Sequence, residues 1–372
     1  MTTLQKVINP LFHFKDIRDE LEKKDLIVKE NKSLYLIKYN NNYEDSNFKR
    51  MCRGVILDKQ NNVIINYGLN GKHSLNTFQN LVNWDECVIE ESIDGTMINL
   101  YYYNNKWNTS TKSTIDANCK WRSCKTFREM FFECNNNIDY SRLNKNYCYT
   151  FVMTHTECRN VTSYKENKLY HVCTRNLIDF EEIDIELGID KPKILKLDKY
   201  NPLNIHNYDD VINYVNSLSY DKEGVMLFSK CRKYRTKIKS PMHIYVNKLL
   251  GNCPDILYKL LELRHNNELL KINEILKYYC EYSALDNTIK DALDKLSTII
   301  YNLYVEKRIN HNLTLEVPKI YGKVLYDIHQ IYFERQNRRR DKASIKLEDI
   351  NEYLNTKTDT TYLYLMIKNI IG

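Results

Sequence analysis

Lys237-Ile238-Lys239 sets two ammonium groups two residues apart. On a strand both would point to the same side, able to converge on one anionic group. They close a basic run from Lys230 to Lys239, and a second runs from Arg335 to Lys342. Upstream, Asp94-Gly95 follows Glu91-Ser92-Ile93 and leads into an alternating apolar run of Met97, Ile98, Leu100 and Tyr102. Asp-Gly there is equally the signature of a hairpin turn, and any one lysine is more often a solvated surface charge.

Order along the chain adds what the single pieces lack. Arg50-Met51-Cys52-Arg53-Gly54 enters a strand at Val55-Ile56-Leu57, and Gly71-Lys72-His73 follows. Beyond Asp94-Gly95 come Lys112, Tyr149-Thr150-Phe151-Val152, Arg159, Glu223-Gly224-Val225-Met226 and finally Lys237 to Ser240. Over roughly residues 35 to 245 this succession resembles the phage-type ATP-dependent RNA ligases, the T4 RNA ligase 1 family of the covalent nucleotidyltransferase superfamily. Tyr39, Arg53, Gly54, Lys72, Asp94, Gly95, Lys112, Arg159, Glu223, Gly224, Lys237 and Lys239 fall where that family has the same residue.

The resemblance implies ATP and Mg2+ as cofactors, with nucleotide and RNA as partners. The family joins 5′-phosphate and 3′-hydroxyl RNA ends through an enzyme-AMP and an RNA-adenylate, and an RNA-repair role would follow from the resemblance alone. Lys237 and Lys239 would be catalytic cations, because AMP transfer develops negative charge on the phosphates. Tyr39, Arg53, Gly54, Lys72, Asp94, Gly95, Lys112, Thr150, Glu223 and Gly224 would form the nucleotide pocket, and Glu223 would hold the metal or orient a lysine. Arg53 and Lys72 are expected at the terminal phosphates of ATP or of the RNA 5′ end, where a guanidinium suits bidentate contact. Arg159 is expected on RNA, as is the basic stretch Arg338, Arg339 and Arg340, which reads equally as an exposed helix end.

Two positions depart from the family pattern. Ser92 stands where the family carries its nucleophilic lysine, whose amine is freed near neutral pH by burial and neighbouring cations. A serine hydroxyl would need a general base, and no histidine-containing constellation is evident beside it. Thr150 stands where the family strand carries a glutamate, and Glu157 is the nearest substitute on that segment. The chain therefore reads as an RNA-ligase-like protein impaired in self-adenylylation, or as a pseudoenzyme that binds nucleotide or RNA ends without catalysis. Sealing of RNA that already carries a 5′-adenylate needs no lysine adduct.

The elements that must position these residues change character along the chain. Up to about residue 245, β-rich runs recur between Asn, Asp and Gly signals: Val55–Leu57, Val63–Ile65, Val88–Glu90, Met97–Tyr103, Tyr147–Met153, Leu169–Cys173 and Gly224–Phe228. Thr126–Phe132 and Asp209–Leu218 have helical spacing. From Pro254 to Pro318 no glycine or proline intervenes, and apolar residues recur at three and four. Further helical patterns cover Tyr321–Arg335 and Leu347–Ile371. The expected class is α+β: an ATP-grasp-like nucleotidyltransferase domain of two antiparallel sheets, residues 1–248, then an all-α domain, 249–372. DNA ligases and capping enzymes usually carry an oligonucleotide-binding barrel after the last lysine motif, so the helical tail favours the RNA-ligase branch.

Composition sets the outer bounds. With 372 residues and 43% hydrophobic content, the chain can bury two cores and is not disordered throughout. A net charge of +7 is a mild bias toward polyanions. No apolar run approaches the roughly 18 residues of a membrane span, and Met1 to Lys6 lacks a signal-peptide core, so a soluble, cytoplasmic protein without membrane contact is expected. The 11 cysteines show no metal-ligand spacing and are expected to be reduced and mostly buried. The 30 tyrosines match an A+T-rich coding genome and are not read as a base-stacking platform.

Overall fold

Runs of β-branched and aromatic residues become strands throughout the first part of the chain. The computed structural model describes residues 14–40, 46–135, 138–338 and 344–372. β1 (Leu26–Glu30), β2 (Leu34–Tyr39), β3 (Arg53–Asp58) and β4 (Ile64–Asn66) form one sheet in that order. β5 (Cys87–Glu91), β6 (Thr96–Tyr103), β7 (Lys106–Ser110), β8 (Tyr147–Thr154), β9 (Lys168–Asn176) and β10 (Glu182–Ile183) follow, then β11 (Ile194–Lys196), β12 (Gly224–Ser229) and β13 (Arg235–Lys239). The second sheet has the order β10-β9-β8-β6-β7 and the third β11-β5-β12-β13. All neighbouring strands in these sheets pair antiparallel.

The α+β class with antiparallel sheets agrees with the sequence, whereas three sheets stand where two were expected. Of the strands not read from the sequence, β10 and β11 are short and β7 and β13 polar, whereas β1 (Leu-Ile-Val-Lys-Glu) and β2 (Leu-Tyr-Leu-Ile-Lys-Tyr) carry apolar runs that the reading passed over. β7, Lys-Trp-Asn-Thr-Ser, is instead set by its turn: Asn104 and Asn105 both take positive φ, the geometry of a two-residue hairpin loop, which brings Tyr103 opposite Lys106.

Local chemistry starts the helices. Phe127–Glu133 opens on a capping box between Thr126 and Glu129, and Tyr208–Asn216 opens on Asn207, whose side chain accepts from the Asp210 amide. Beneath the third sheet Phe78, Ile89, Val211, Val215, Val225 and Leu227 form a buried core. That core holds β5 and β12 against the helix 208–216, and so fixes the strands that carry Ser92 and Glu223 at their ends.

By its contacts the chain divides into two units, Met1–Asn247 and Lys248–Gly372. The second is built from helices Ile256–His265, Leu269–Tyr278, Ser283–Tyr304, Lys319–Arg338, Leu347–Thr356 and Thr360–Ile371. The apolar pattern read from Leu347 to Ile371 is two helices, because Asp359 caps a new start by accepting from the Thr361 and Tyr362 amides. Leu260, Ile275, Leu296, Ile300, Ile328 and Met366 are buried in this unit. Arg264 and Lys290 pair with the buried carboxylate of Asp286.

All eleven cysteines are free thiols; five are buried, fewer than expected, because the others lie in turns, loops and at helix ends. Among the described residues no helix is long and apolar enough to cross a membrane.

Candidate active site

The third sheet writes the site as a grid. Met226 on β12 stands opposite Glu90 on β5 and Lys237 on β13, and Phe228 opposite Val88 and Arg235. Gly224 stands opposite Lys239, and its carbonyl accepts the Ser92 amide at 3.0 Å. Side chains alternate along a strand, so one face carries three rows about 7 Å apart. The rows are Ser92, Gly224 and Lys239; Glu90, Met226 and Lys237; Val88, Phe228 and Arg235.

Above this face lies a pocket of about 410 Å³, within the range of small-molecule sites. Tyr39, Arg53, Lys72, Ser92, Gly95, Lys112, Glu223, Lys237 and Lys239 all line it, so residues far apart in sequence converge. Val152, Val172, Met226 and Phe228 supply an apolar part. Gly54 and Gly224 line no wall but permit the approach of others. Gly54 has φ +75°, and a Cβ there would lie 2.7 Å from the Lys112 Cα. At Gly224, with φ +135°, a Cβ would lie 2.1 Å from the Ile238 carbonyl oxygen.

Glu223 is the hub. Its Oε2 accepts from the Ser92 hydroxyl at 2.7 Å and from Lys237 Nζ at 2.7 Å, while Lys239 Nζ lies 2.9 Å from Oε1. Burial favours the protonated acid, but the two ammonium groups outweigh it and hold the carboxyl at about 2. Burial pulls the Lys237 ammonium downward against the attraction of Glu223. The two effects oppose each other within one pair. Two ammonium groups within 3 Å of one carboxylate favour an ionised Glu223.

The pocket carries excess positive charge. Arg53, Lys72, Lys112, Arg235, Lys237 and Lys239 line it, against Glu90, Glu91 and Glu223. Glu90 pairs with Arg232 at 2.6 Å and Glu91 with Lys222 at 3.1 Å, so neither neutralises the lining cations. Lys72 is pushed down by burial and by Lys237 and Lys239, and Lys112 by burial and by Arg53 and Lys38. A ligand with several negative charges would relieve both.

Asp94 lines a neighbouring cavity of about 270 Å³, together with Ser92 and Glu223. Its Oδ2 accepts from the Val161 and Thr162 amides at 2.9 and 2.8 Å, and its Oδ1 from Asn160 Nδ2 at 3.2 Å. His243 is 1% exposed; with Nδ1 protonated it donates to the Tyr220 carbonyl at 2.9 Å, leaving Nε2 3.9 Å from Asp94 Oδ2. Nε2 has no hydrogen-bond partner among the described residues. Oxygens of Asp94 and Glu223 and a nitrogen of His243 lie within 4.8 Å of one another, a set able to hold a cation. Lys237 and Lys239 already balance Glu223, so a dication there would need phosphate charge beside it.

Other expected site residues lie elsewhere. Thr150 is fully buried and donates to Asn99 Oδ1 at 2.9 Å, without reaching the pocket. Arg159 donates to the Val161 carbonyl at 2.8 Å and does not line the pocket either. Glu157 pairs with Lys125 at 2.7 Å and so does not substitute at the pocket for the carboxylate missing at Thr150. Arg339 and Arg340 lie outside the described residues, as does the side chain of Arg338.

Sequence reading missed Arg235 and His243. Arg235 alternates with Lys237 and Lys239, so strand periodicity alone could have put it on the same face. His243 comes from the helix Pro241–Leu250 and approaches Asp94 and Glu223, while the Ser92 hydroxyl bonds Glu223 and not a histidine. No short motif announces it.

No family model matches the chain. It is 26% identical over 218 residues to an RNA ligase of Rhodothermus phage RM378, covering 46% of this chain and 47% of that protein. It is 24% identical over 237 residues to an immediate-early protein ICP-46 homolog of Invertebrate iridescent virus 3, covering 60% and 50%. The chain thus spans about half the length of the curated relatives it matches. Among solved structures, an archaeal ATP-dependent RNA ligase superposes with a TM-score of 0.46 at 10% identity, over 70% of this chain and 68% of that one. By sequence, the chain is similar to an RNA ligase over about half of each protein.

Proposed function

We propose that the protein binds ATP in the cation-lined pocket and joins RNA ends whose 5′ terminus is already adenylated, without forming its own lysine adduct. The observation that carries this reading is the Glu223 carboxylate, shared by Ser92, Lys237 and Lys239. Ser92 occupies the place expected for the nucleophile, and its hydroxyl donates to a carboxylate held at about 2, a very weak proton acceptor near neutral pH. The serine is therefore not activated, while the two lysines remain beside it.

In sealing, the RNA 3′-hydroxyl attacks the 5′-phosphorus, the bond from that phosphorus to AMP breaks, and AMP leaves. Lys237 and Lys239 would stabilise charge on the departing AMP phosphate. Arg53, Lys72 and Lys112 would hold further phosphates, with Tyr39 at the rim and the base against Val152 and Met226. Asp94, Glu223 and His243 would hold Mg2+, which supplies positive charge to the phosphates when bound. Arg159 and the Arg338–Arg340 stretch would contact RNA phosphates.

The test uses the full chain with pre-adenylated RNA, a 3′-hydroxyl acceptor and Mg2+. Joined product that disappears in Lys237→Ala is expected. ATP and RNA binding without any joining would overturn sealing and leave a binding protein.

A further inference from the structure

One cation of the pocket matches none of the residues that the family resemblance supplies. Arg235 is 4% exposed, and its Nε and Nη1 are buried without a hydrogen-bond acceptor among the described residues. The nearby cations have carboxylate partners: Lys237 and Lys239 share Glu223, and Arg232, in the turn before β13, has Glu90 although its Nη1 also lacks an acceptor among the described residues. A buried guanidinium with idle N–H groups costs stability, and a ligand that brings acceptors recovers the loss.

Its position says which part of a ligand would reach it. Arg235 stands on the face of Ser92 and Lys237, two rows from Ser92 and at the sheet edge. The backbone beside it is fixed, since the His73 amide donates to the Arg235 carbonyl at 2.8 Å and Thr236 Oγ1 donates to the His73 carbonyl at 2.9 Å. That zipper holds Lys72 along the same edge, and Lys72, Arg53 and Arg235 all line the pocket. A nucleotide whose α-phosphate lies at Ser92 and Lys239 has only its outer phosphates free to extend across to this edge.

We propose that Arg235 binds the β- and γ-phosphates of a nucleoside triphosphate, completing with Arg53 and Lys72 a terminal-phosphate subsite. The inference rests on the nucleotide-binding reading above. Burial pulls the guanidinium down to about 10, with Glu182 opposing the shift and Arg175 and Arg53 adding to it, so it stays charged at neutral pH.

The test measures ATP, ADP and AMP affinity calorimetrically for the full-length chain, for Arg235→Met and for Arg235→Lys. Arg235→Met should lower ATP affinity about tenfold or more while AMP affinity stays within about twofold, and Arg235→Lys should restore part of the loss. Without nucleotide, Arg235→Met should melt at the same temperature or higher, because an uncompensated buried charge is gone. Equal losses for ATP and AMP, pointing to a base or ribose contact, would overturn the proposal, as would unchanged ATP affinity. A lower melting temperature of the ligand-free Arg235→Met would overturn it in favour of a structural arginine. Wild-type protein that binds none of the three overturns the nucleotide-binding reading itself, and this inference with it.

Discussion

Ser92 Oγ and Lys237 Nζ meet on one oxygen of Glu223, each at 2.7 Å. The hydroxyl is thereby committed as a donor to the group that also holds a lysine in place. Its position looks like a reaction centre while its proton has nowhere useful to go.

If that bond is only a local contact, Ser92→Ala should be mild. Glu223 keeps both lysines, so the loss is expected to be about 1 kcal/mol of stability in urea unfolding, with ATP affinity changed less than about threefold. A tenfold fall in ATP affinity would show that the hydroxyl itself binds the nucleotide.

Glu223→Gln removes the counter-charge of two lysines and should cost about 3 kcal/mol near neutral pH. The folded-state pKa of Glu223 is depressed from 4.5 to about 2, so its contribution is present above about pH 4.5 and fades as pH falls toward 2. Urea midpoints of wild type and variant should therefore converge over that window. Parallel curves would contradict the ionised hub.

Gly224→Ala tests the backbone of the grid. With φ +135° and a Cβ placed 2.1 Å from the Ile238 carbonyl oxygen, the change should cost at least about 2 kcal/mol and displace Lys239. Thermal melting and ATP titration should both register it.

Thr150→Glu would place a carboxylate at a fully buried position packed against Asn99, where the Gly68 backbone also comes close. A loss of roughly 2–4 kcal/mol is expected, with no gain in ATP binding. Tighter ATP binding at unchanged stability would show that the strand turns this position toward the nucleotide.

Much of the site was legible because its residues sit on strands with two-residue periodicity. Lys237 and Lys239 declared a shared face, and Asp94-Gly95 fixed the strand end beside it. Ser92 was visible as a departure, but its bond to Glu223, 131 residues away, depends on how β5 and β12 pair. Thr150 was expected in the pocket and points instead to Asn99, because which face of β8 looks outward is decided by packing between strands. His243 was unreadable for a similar reason, since a helix after the last strand carries it back to Asp94. In the fold, β7 escaped notice because two asparagines with positive φ define it, not its own polar residues.

A nucleotide pocket that binds ATP without the covalent step should hold it only reversibly. The direct measurement incubates wild type and Ser92→Lys with α-labelled ATP and Mg2+, then reads label retained on native protein and on the same samples after denaturation. Wild type should retain label only while native, and Ser92→Lys should carry some through denaturation. Label surviving denaturation on wild-type protein would contradict the account, and so would no retention in the native state.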